Sequence, residues 1–207
     1  MKGDDRRTIL LVEDEIIIAM AEKMILEKFG YVVFTAHSGE EAVSAFEKNP
    51  GIDLILMDIN LGKGMDGTEA AAVILSRRDL PIVFLSSHVE QEIVEKTERI
   101  TSYGYVVKSS SETVLRASIK MAFKLFEANR KEKEKELALR KSEALYQALV
   151  ETSPDAIVLS DPDGAIIMVN QRMVELHGCT SKREFDGISA FELLAPVQRQ
   201  RASDHAS

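Results

Sequence analysis

The chain lacks what several classes of protein need. It has 1 cysteine, Cys179, and no tryptophan in 207 residues. A lone thiol closes no internal disulfide, so nothing points to an oxidising compartment, and Cys179 is expected to be packed rather than reactive. No apolar run approaches the roughly 20 residues that cross a bilayer. The opening stretch Met1 to Arg7 is charged where a secretory signal is apolar. A cytoplasmic segment without membrane contact is therefore expected. Positive charge is also in short supply: 26 Lys and Arg stand against 34 Asp and Glu, for a net charge of -8. Nucleic-acid binding rests on clustered cations that neutralise phosphates, so no nucleic-acid partner is expected. His37, His88, His177 and His205 are scattered, without metal-ligand spacing to one another or to Cys179, and are expected in solvent or loops.

What is present is an alternation of two periods. Ile9 to Val12, Tyr31 to Thr35, Ile52 to Met57, Ile82 to Leu85 and Tyr103 to Val107 are short and rich in Val, Ile, Leu or aromatics, which predicts strands. Between them, Ile16 to Phe29, Glu40 to Lys48, Thr68 to Arg77 and Glu90 to Ile100 space their apolar residues by three and four, and a fifth helix begins near Glu112. Ser38 and Glu41 form the pattern of a capping box. Five strand-helix units imply an α/β fold, a parallel sheet with helices on both faces.

From Glu127 to Lys141 the chain turns to mixed charge without Gly or Pro, and its Glu and Lys residues pair at helical spacing. The fifth helix is expected to continue through it as an exposed rod. Leu115, Ile119, Ala122 and Phe126 precede the charged run, and Leu137, Leu145 and Leu149 follow it. That arrangement suits either a two-stranded coiled coil or a lone solvated helix, because no heptad seam is sustained through the middle. After Ser153-Pro154, the runs Ala156 to Leu159 and Ala165 to Val169 flank Asp161-Pro162-Asp163-Gly164, a hairpin signal.

Ligands of an open parallel sheet sit at the carboxyl ends of its strands. Here the first strand ends in Glu13-Asp14, the third in Asp58, the fourth in Ser86-Ser87 and the fifth in Lys108, while the second offers nothing obviously reactive. Converging carboxylates repel unless a cation joins them, and an oxygen-rich site of this kind suits magnesium. An Asp oxygen left free can accept a phosphoryl group, with Lys108 and Ser86 supplying a cation and a hydroxyl donor for its oxygens.

Residues 7 to 125 resemble a response-regulator receiver domain. The resemblance is carried by Ile9-Leu10-Leu11-Val12-Glu13-Asp14-Glu15, Leu54-Ile55-Leu56-Met57-Asp58-Ile59, Met65-Asp66-Gly67, Leu85-Ser86-Ser87 and Gly104-Tyr105-Val106-Val107-Lys108. It implies a flavodoxin-like, doubly wound five-stranded sheet of order 2-1-3-4-5. It further implies Asp58 as phosphoacceptor, Asp14 as direct magnesium ligand, Glu13 as ligand through water, and the Asn60 backbone carbonyl as the third protein ligand. Ser86 would be the switch hydroxyl, Tyr105 the aromatic that swings inward, and Lys108 the partner of the phosphate. The donor would be a histidine kinase or a histidine phosphotransfer protein.

Two departures are visible. The loop after Asp58 lacks the family's proline and is one residue longer before Met65-Asp66-Gly67, so it is expected to be more flexible. Lys108 precedes Ser109 rather than proline, so no cis peptide is expected there. A competing motif, Gly62-x-Gly64-x-x-Gly67, matches a dinucleotide fingerprint, but Asp58 to Leu61 separate it from the strand and the next strand ends in Ser86 rather than an acid.

Residues 142 to 207 resemble the first part of a PAS domain through Leu145 to Ile157, Asp161-x-Asp163-Gly164, Val169-Asn170 and Phe191-Glu192-Leu193-Leu194. A PAS sheet needs three further strands. The segment is thus expected to be partial α+β: part of a longer protein, vestigial, or completed by a partner. The expected organisation is a receiver over 1-125, a charged helical linker over 126-142 and a partial PAS domain over 143-207. The expected role is phosphorelay signalling, alone or within a larger hybrid histidine kinase, with a homodimer along the fifth helix and linker. The alternative is a phosphorylation-independent dimerisation or scaffold module.

Overall fold

The computed structural model describes residues 6–87 and 103–193. The chain divides into two units, Met1–Glu132 and Lys133–Ser207. In the first, β1 (Thr8–Val12), α1 (Ile16–Lys28), β2 (Val32–Ala36), α2 (Gly39–Lys48), β3 (Leu54–Asp58), α3 (Gly67–Arg77), β4 (Ile82–Ser86) and β5 (Tyr105–Val107) follow in order. The helix expected over Glu90 to Ile100 lies outside the described residues. The helix counted fifth from the sequence is therefore labelled α4, and it runs unbroken from Glu112 to Glu151, 40 residues. Among the described residues no helix is long and apolar enough to cross a membrane.

All five strands are parallel, in the order β2-β1-β3-β4-β5. Every residue of β3 and β4 is buried. A strand covered on both faces by helices has no solvent side, and its sequence is accordingly a continuous apolar run. Successive side chains point to opposite faces, so the same strands feed two cores. Leu10, Val12, Ile55, Met57 and Phe84 meet Phe46 of α2 and Ile74 of α3. Ile9, Leu11, Leu54 and Leu56 meet Leu26 of α1 and Leu115 and Ile119 of α4.

Element ends differ from the expectation for identifiable reasons. β3 starts at Leu54 rather than Ile52, because Asp53 is committed to Thr8 on both sides: its N–H donates to Thr8 O and its Oδ2 accepts from Thr8 N, each at 2.8 Å. The expected capping box at α2 is half formed. Ser38 Oγ accepts from Glu41 N at 3.1 Å, but the Glu41 carboxylate accepts from His37 N at 2.7 Å, one residue short of the cap. The complete box is at α3, where Asp66 accepts from Glu69 N at 2.8 Å and Glu69 accepts from Asp66 N at 3.0 Å.

The second unit holds the end of α4, a two-stranded antiparallel sheet of β6 (Val158–Ser160) and β7 (Ile166–Val169), helix α5 (Gln171–Leu176) and 3-10 turns at Lys182–Phe185 and Ala190–Leu193. This is an α+β hairpin-and-helix arrangement, as expected for the second segment. The turn Asp161–Gly164 closes through Gly164 N to Asp161 O at 3.0 Å and Ala165 N to Asp161 Oδ1 at 2.7 Å, with Gly164 at a φ of +88°. Among the described residues, Val169, Met173, Val174 and Phe185 form the buried core of this unit. Leu194, quoted in the PAS resemblance, lies outside the described residues.

Candidate functional site: an acidic pocket at the strand ends

Three ladder bonds continue past the ends of the strands and fix where the reactive side chains begin. Glu13 N donates to Ala36 O at 3.0 Å, Ile59 N to Leu85 O at 3.2 Å, and Lys108 N to Ser86 O at 2.8 Å. Glu13, Asp14, Asp58 and Lys108 consequently emerge on one edge of the sheet, as expected at the carboxyl ends of parallel strands. Oxygens from the carboxylates of Glu13, Asp14 and Asp58 lie within 4.8 Å of one another. Glu13 is fully buried and Asp58 is 3% exposed, while Asp14 reaches solvent.

Lys108 Nζ stands 2.7 Å from Asp58 Oδ2 and 2.5 Å from Glu13 Oε2. Asp58 Oδ1 accepts from Asn60 N at 3.2 Å. Glu13 Oε1 is buried without a hydrogen-bond partner among the described residues. Burial pushes the Glu13 carboxyl above the usual range; Lys108 opposes the shift and the charge of Asp58 adds to it. Burial works against the charge of Lys108, but its bonds to Asp58 and Glu13 prevail and hold the ammonium above its ordinary value. Among the described residues, the Lys108 ammonium is paired with two of the three clustered carboxylates. An all-oxygen donor set with surplus negative charge and an orphaned buried oxygen fits a hard divalent cation such as magnesium.

The response regulator receiver domain family matches residues 9–120. The chain belongs to that family. A PAS domain match follows over residues 144–204. The transcriptional regulatory protein PdtaR of Mycobacterium tuberculosis is 35% identical over 121 residues, which cover 58% of this chain and 58% of PdtaR. The chain spans little more than half the length of that relative. Chemotaxis protein CheY of Treponema pallidum is 33% identical over 103 residues, 48% of this chain and 71% of CheY. Among solved structures, the N-terminal domain of a response regulator/sensory box/GGDEF 3-domain protein from Carboxydothermus hydrogenoformans shares 47% identity at a TM-score of 0.56, covering 59% of this chain and 98% of that one.

Around the receiver's carboxylates, Ser86 is fully buried at the end of β4. Tyr105 is half-buried on β5 against the core, and its hydroxyl has no hydrogen-bond partner among the described residues. Asn60 lies on the exposed loop after β3. Two of the glycines that follow β3 stand close to Asp58 and Asp14. A Cβ on Gly67 would sit 1.9 Å from Asp58 O, and one on Gly62, at a φ of +68°, 3.1 Å from Asp14 Oδ2. The N-terminus of α3, where a dinucleotide phosphate would have to bind, is capped by the Asp66 carboxylate. No cis peptide bond occurs among the described residues.

Two further residues were not singled out from the sequence. His37, expected in solvent or a loop, lies in the loop after β2 and places Nδ1 2.9 Å from Glu13 O. Glu22 on α1 buries Oε2 without a hydrogen-bond partner among the described residues. A signal for Glu22 existed: it falls four residues from Ile18 and four from Leu26, on the stripe that faces the sheet. His88 and His205 lie outside the described residues, and His177 packs edge-on against Phe185 with ring centroids 5.7 Å apart.

Proposed function

We propose that the chain is a phosphoacceptor in a histidine-to-aspartate phosphorelay, with Asp58 taking the phosphoryl group from a histidine kinase or a histidine phosphotransfer protein. The observation that carries this reading is the Asp58 carboxylate, 3% exposed, 2.7 Å from Lys108 Nζ and clustered with Glu13 and Asp14. Glu13, Asp14, Asp58 and the backbone carbonyl of Asn60 would hold magnesium. When bound, the ion supplies positive charge that offsets the carboxylates and the phosphoryl oxygens. An Asp58 carboxylate oxygen attacks phosphorus; the new O–P bond forms as the donor's N–P bond breaks and the imidazole leaves. Lys108, already pre-positioned, follows the charge onto the phosphoryl oxygens, and the Ser86 hydroxyl donates to one of them.

With Ser86 drawn to the phosphate, Tyr105 turns into the space it leaves. A buried hydroxyl without a partner costs about 1–3 kcal/mol, which favours a ring with an alternative seat. The change would reach α4 across the sheet: Tyr105 packs on one face, and its neighbour Val106 lies on the other in the same core as Leu115 and Ile119 of α4. In this reading the receiver covers 1-125, the charged linker 126-142 and the partial PAS domain 143-207, with two chains paired along α4 and the linker. Exposed Leu137, Leu139, Leu145 and Leu149 on α4 also favour a second reading, a dimerisation or scaffold module that needs no phosphate.

Intact mass after incubation with acetyl phosphate and magnesium chloride tests the proposal. One added phosphoryl group per chain, absent from Asp58→Asn, supports the first reading; a wild-type chain that takes up none supports the second.

A further inference from the structure

Two consecutive acids follow β1, Glu13 and Asp14, and both carboxylates reach the cluster they share with Asp58. Neighbouring side chains of an extended strand point to opposite faces, so this convergence requires the backbone to turn between them. The chain leaves β1 after Val12 and bends at Asp14. The helix that follows does not hold the bend from its own end: Glu15, the N-cap of α1, makes no side-chain cap bond.

What holds the bend comes from the end of β2, where two consecutive residues bind both backbone groups of Glu13. Glu13 N donates to Ala36 O at 3.0 Å, and Glu13 O accepts from the His37 ring, whose Nδ1 lies 2.9 Å away. A carbonyl oxygen can only accept, so Nδ1 carries the hydrogen. Because a peptide unit is planar, fixing the Glu13 carbonyl also fixes the direction in which the chain enters Asp14. His37 is half-buried and is itself held. Its N–H donates to Glu41 Oε2 of α2 at 2.7 Å, the bond that diverts Glu41 from completing its capping box. The ring also lines a groove with Ile16 and Ala19, in the first turn of α1.

We propose that His37 is a positioning residue for the acidic pocket, its ring fixing the Glu13–Asp14 peptide so that both carboxylates converge on one divalent cation. This rests on the reading of the pocket as a cation site. His37 is not one of the clustered carboxylates and acts through the backbone of Glu13. A ring that only filled space beside α1 would matter to stability alone. A ring that sets the peptide matters to ion affinity, and does so through one hydrogen bond.

Isothermal calorimetry of the full chain with magnesium chloride, run beside urea denaturation, tells these roles apart. His37→Phe keeps a ring of similar size without the donor, whereas His37→Asn gives up the ring and keeps an N–H close to the position of Nδ1. Loss of a group that orients a metal ligand costs about 10–100-fold in affinity, and His37→Phe is expected to weaken magnesium binding by about tenfold. His37→Asn is expected to bind the ion as wild type does. Should His37→Phe fold poorly, His37→Ala makes the same comparison without the bulk. Unchanged magnesium affinity in the folded Phe or Ala variant, or an equal loss in the Asn variant, overturns the proposal and leaves the cation site standing. No magnesium binding by wild type overturns both.

Discussion

Lys108 Nζ lies 2.7 Å from Asp58 Oδ2, across a side-chain pair that is 14% and 4% exposed. Removing the ammonium leaves Asp58 and the fully buried Glu13 as uncompensated like charges. Loss of one partner from a buried pair costs about 3–5 kcal/mol. Lys108→Ala is therefore expected to lose about 3 kcal/mol in urea denaturation at pH 7, and millimolar magnesium is expected to return part of the loss. A variant as stable as wild type without magnesium would show that the carboxylates do not depend on Lys108.

Gly67 and Gly30 separate close approach from backbone preference. A Cβ on Gly67 would collide with Asp58 O, whereas Gly30, at a φ of +91°, has open space around it. Gly30→Ala carries only the cost of a left-handed residue, about 1–2 kcal/mol. Gly67→Ala must move α3 away from β3; we expect it to be less stable than Gly30→Ala and to take up phosphate more slowly. Equal thermal shifts and equal phosphate uptake would contradict the packing argument.

Asn170 is fully buried, and its side chain joins four parts of the second unit. It donates to Val150 O at 3.0 Å and Asp155 O at 2.8 Å, and accepts from Ile157 N at 2.9 Å and Met173 N at 3.0 Å. Each buried group left unpaired costs about 1–3 kcal/mol. Asn170→Ala is expected to speed hydrogen exchange at Ile157 and Met173 by more than tenfold, while Leu56 in β3 exchanges as before. Unchanged exchange at Ile157 would mean that water or a shifted backbone replaces the amide.

Stability should fall as the solution is made less acidic through the range where Glu22 titrates. Its folded pKa, raised from 4.5 to about 7, exceeds the unfolded value, so the folded chain binds more protons between those limits. The contribution is complete below pH 4.5 and is lost as pH rises toward 7. Glu13, also raised, acts in the same direction. In metal-free buffer, Glu22→Gln is expected to flatten the decline between pH 5 and 7 measured by urea denaturation. A wild-type curve that rises over the same interval would reverse the assignment.

Much of the receiver was legible because its strands announce themselves. A doubly covered strand such as Leu54 to Met57 can only be apolar, and an acid directly after it stands out as Asp58 does. The half-formed box at Ser38 shows the limit of such patterns, since Glu41 satisfies either of two adjacent N–H groups and spacing does not choose between them. The complete box at Asp66 and Glu69 had the same legible spacing and was masked by the glycines around it. α1 is harder still: Ile17 and Met24 are 84% and 71% exposed while Glu22 is turned inward, so polarity does not report its buried side. The central place of Asn170 depends on contacts with residues up to 20 positions away, which no local pattern carries.

The site of phosphate attachment decides the central claim. After treatment with acetyl phosphate and magnesium, peptide mapping by mass spectrometry should find the phosphoryl group on the peptide containing Asp58, and hydroxylamine should remove it, as it does an acyl phosphate. A hydroxylamine-stable phosphate, or one mapped to a peptide without Asp58, would contradict the account.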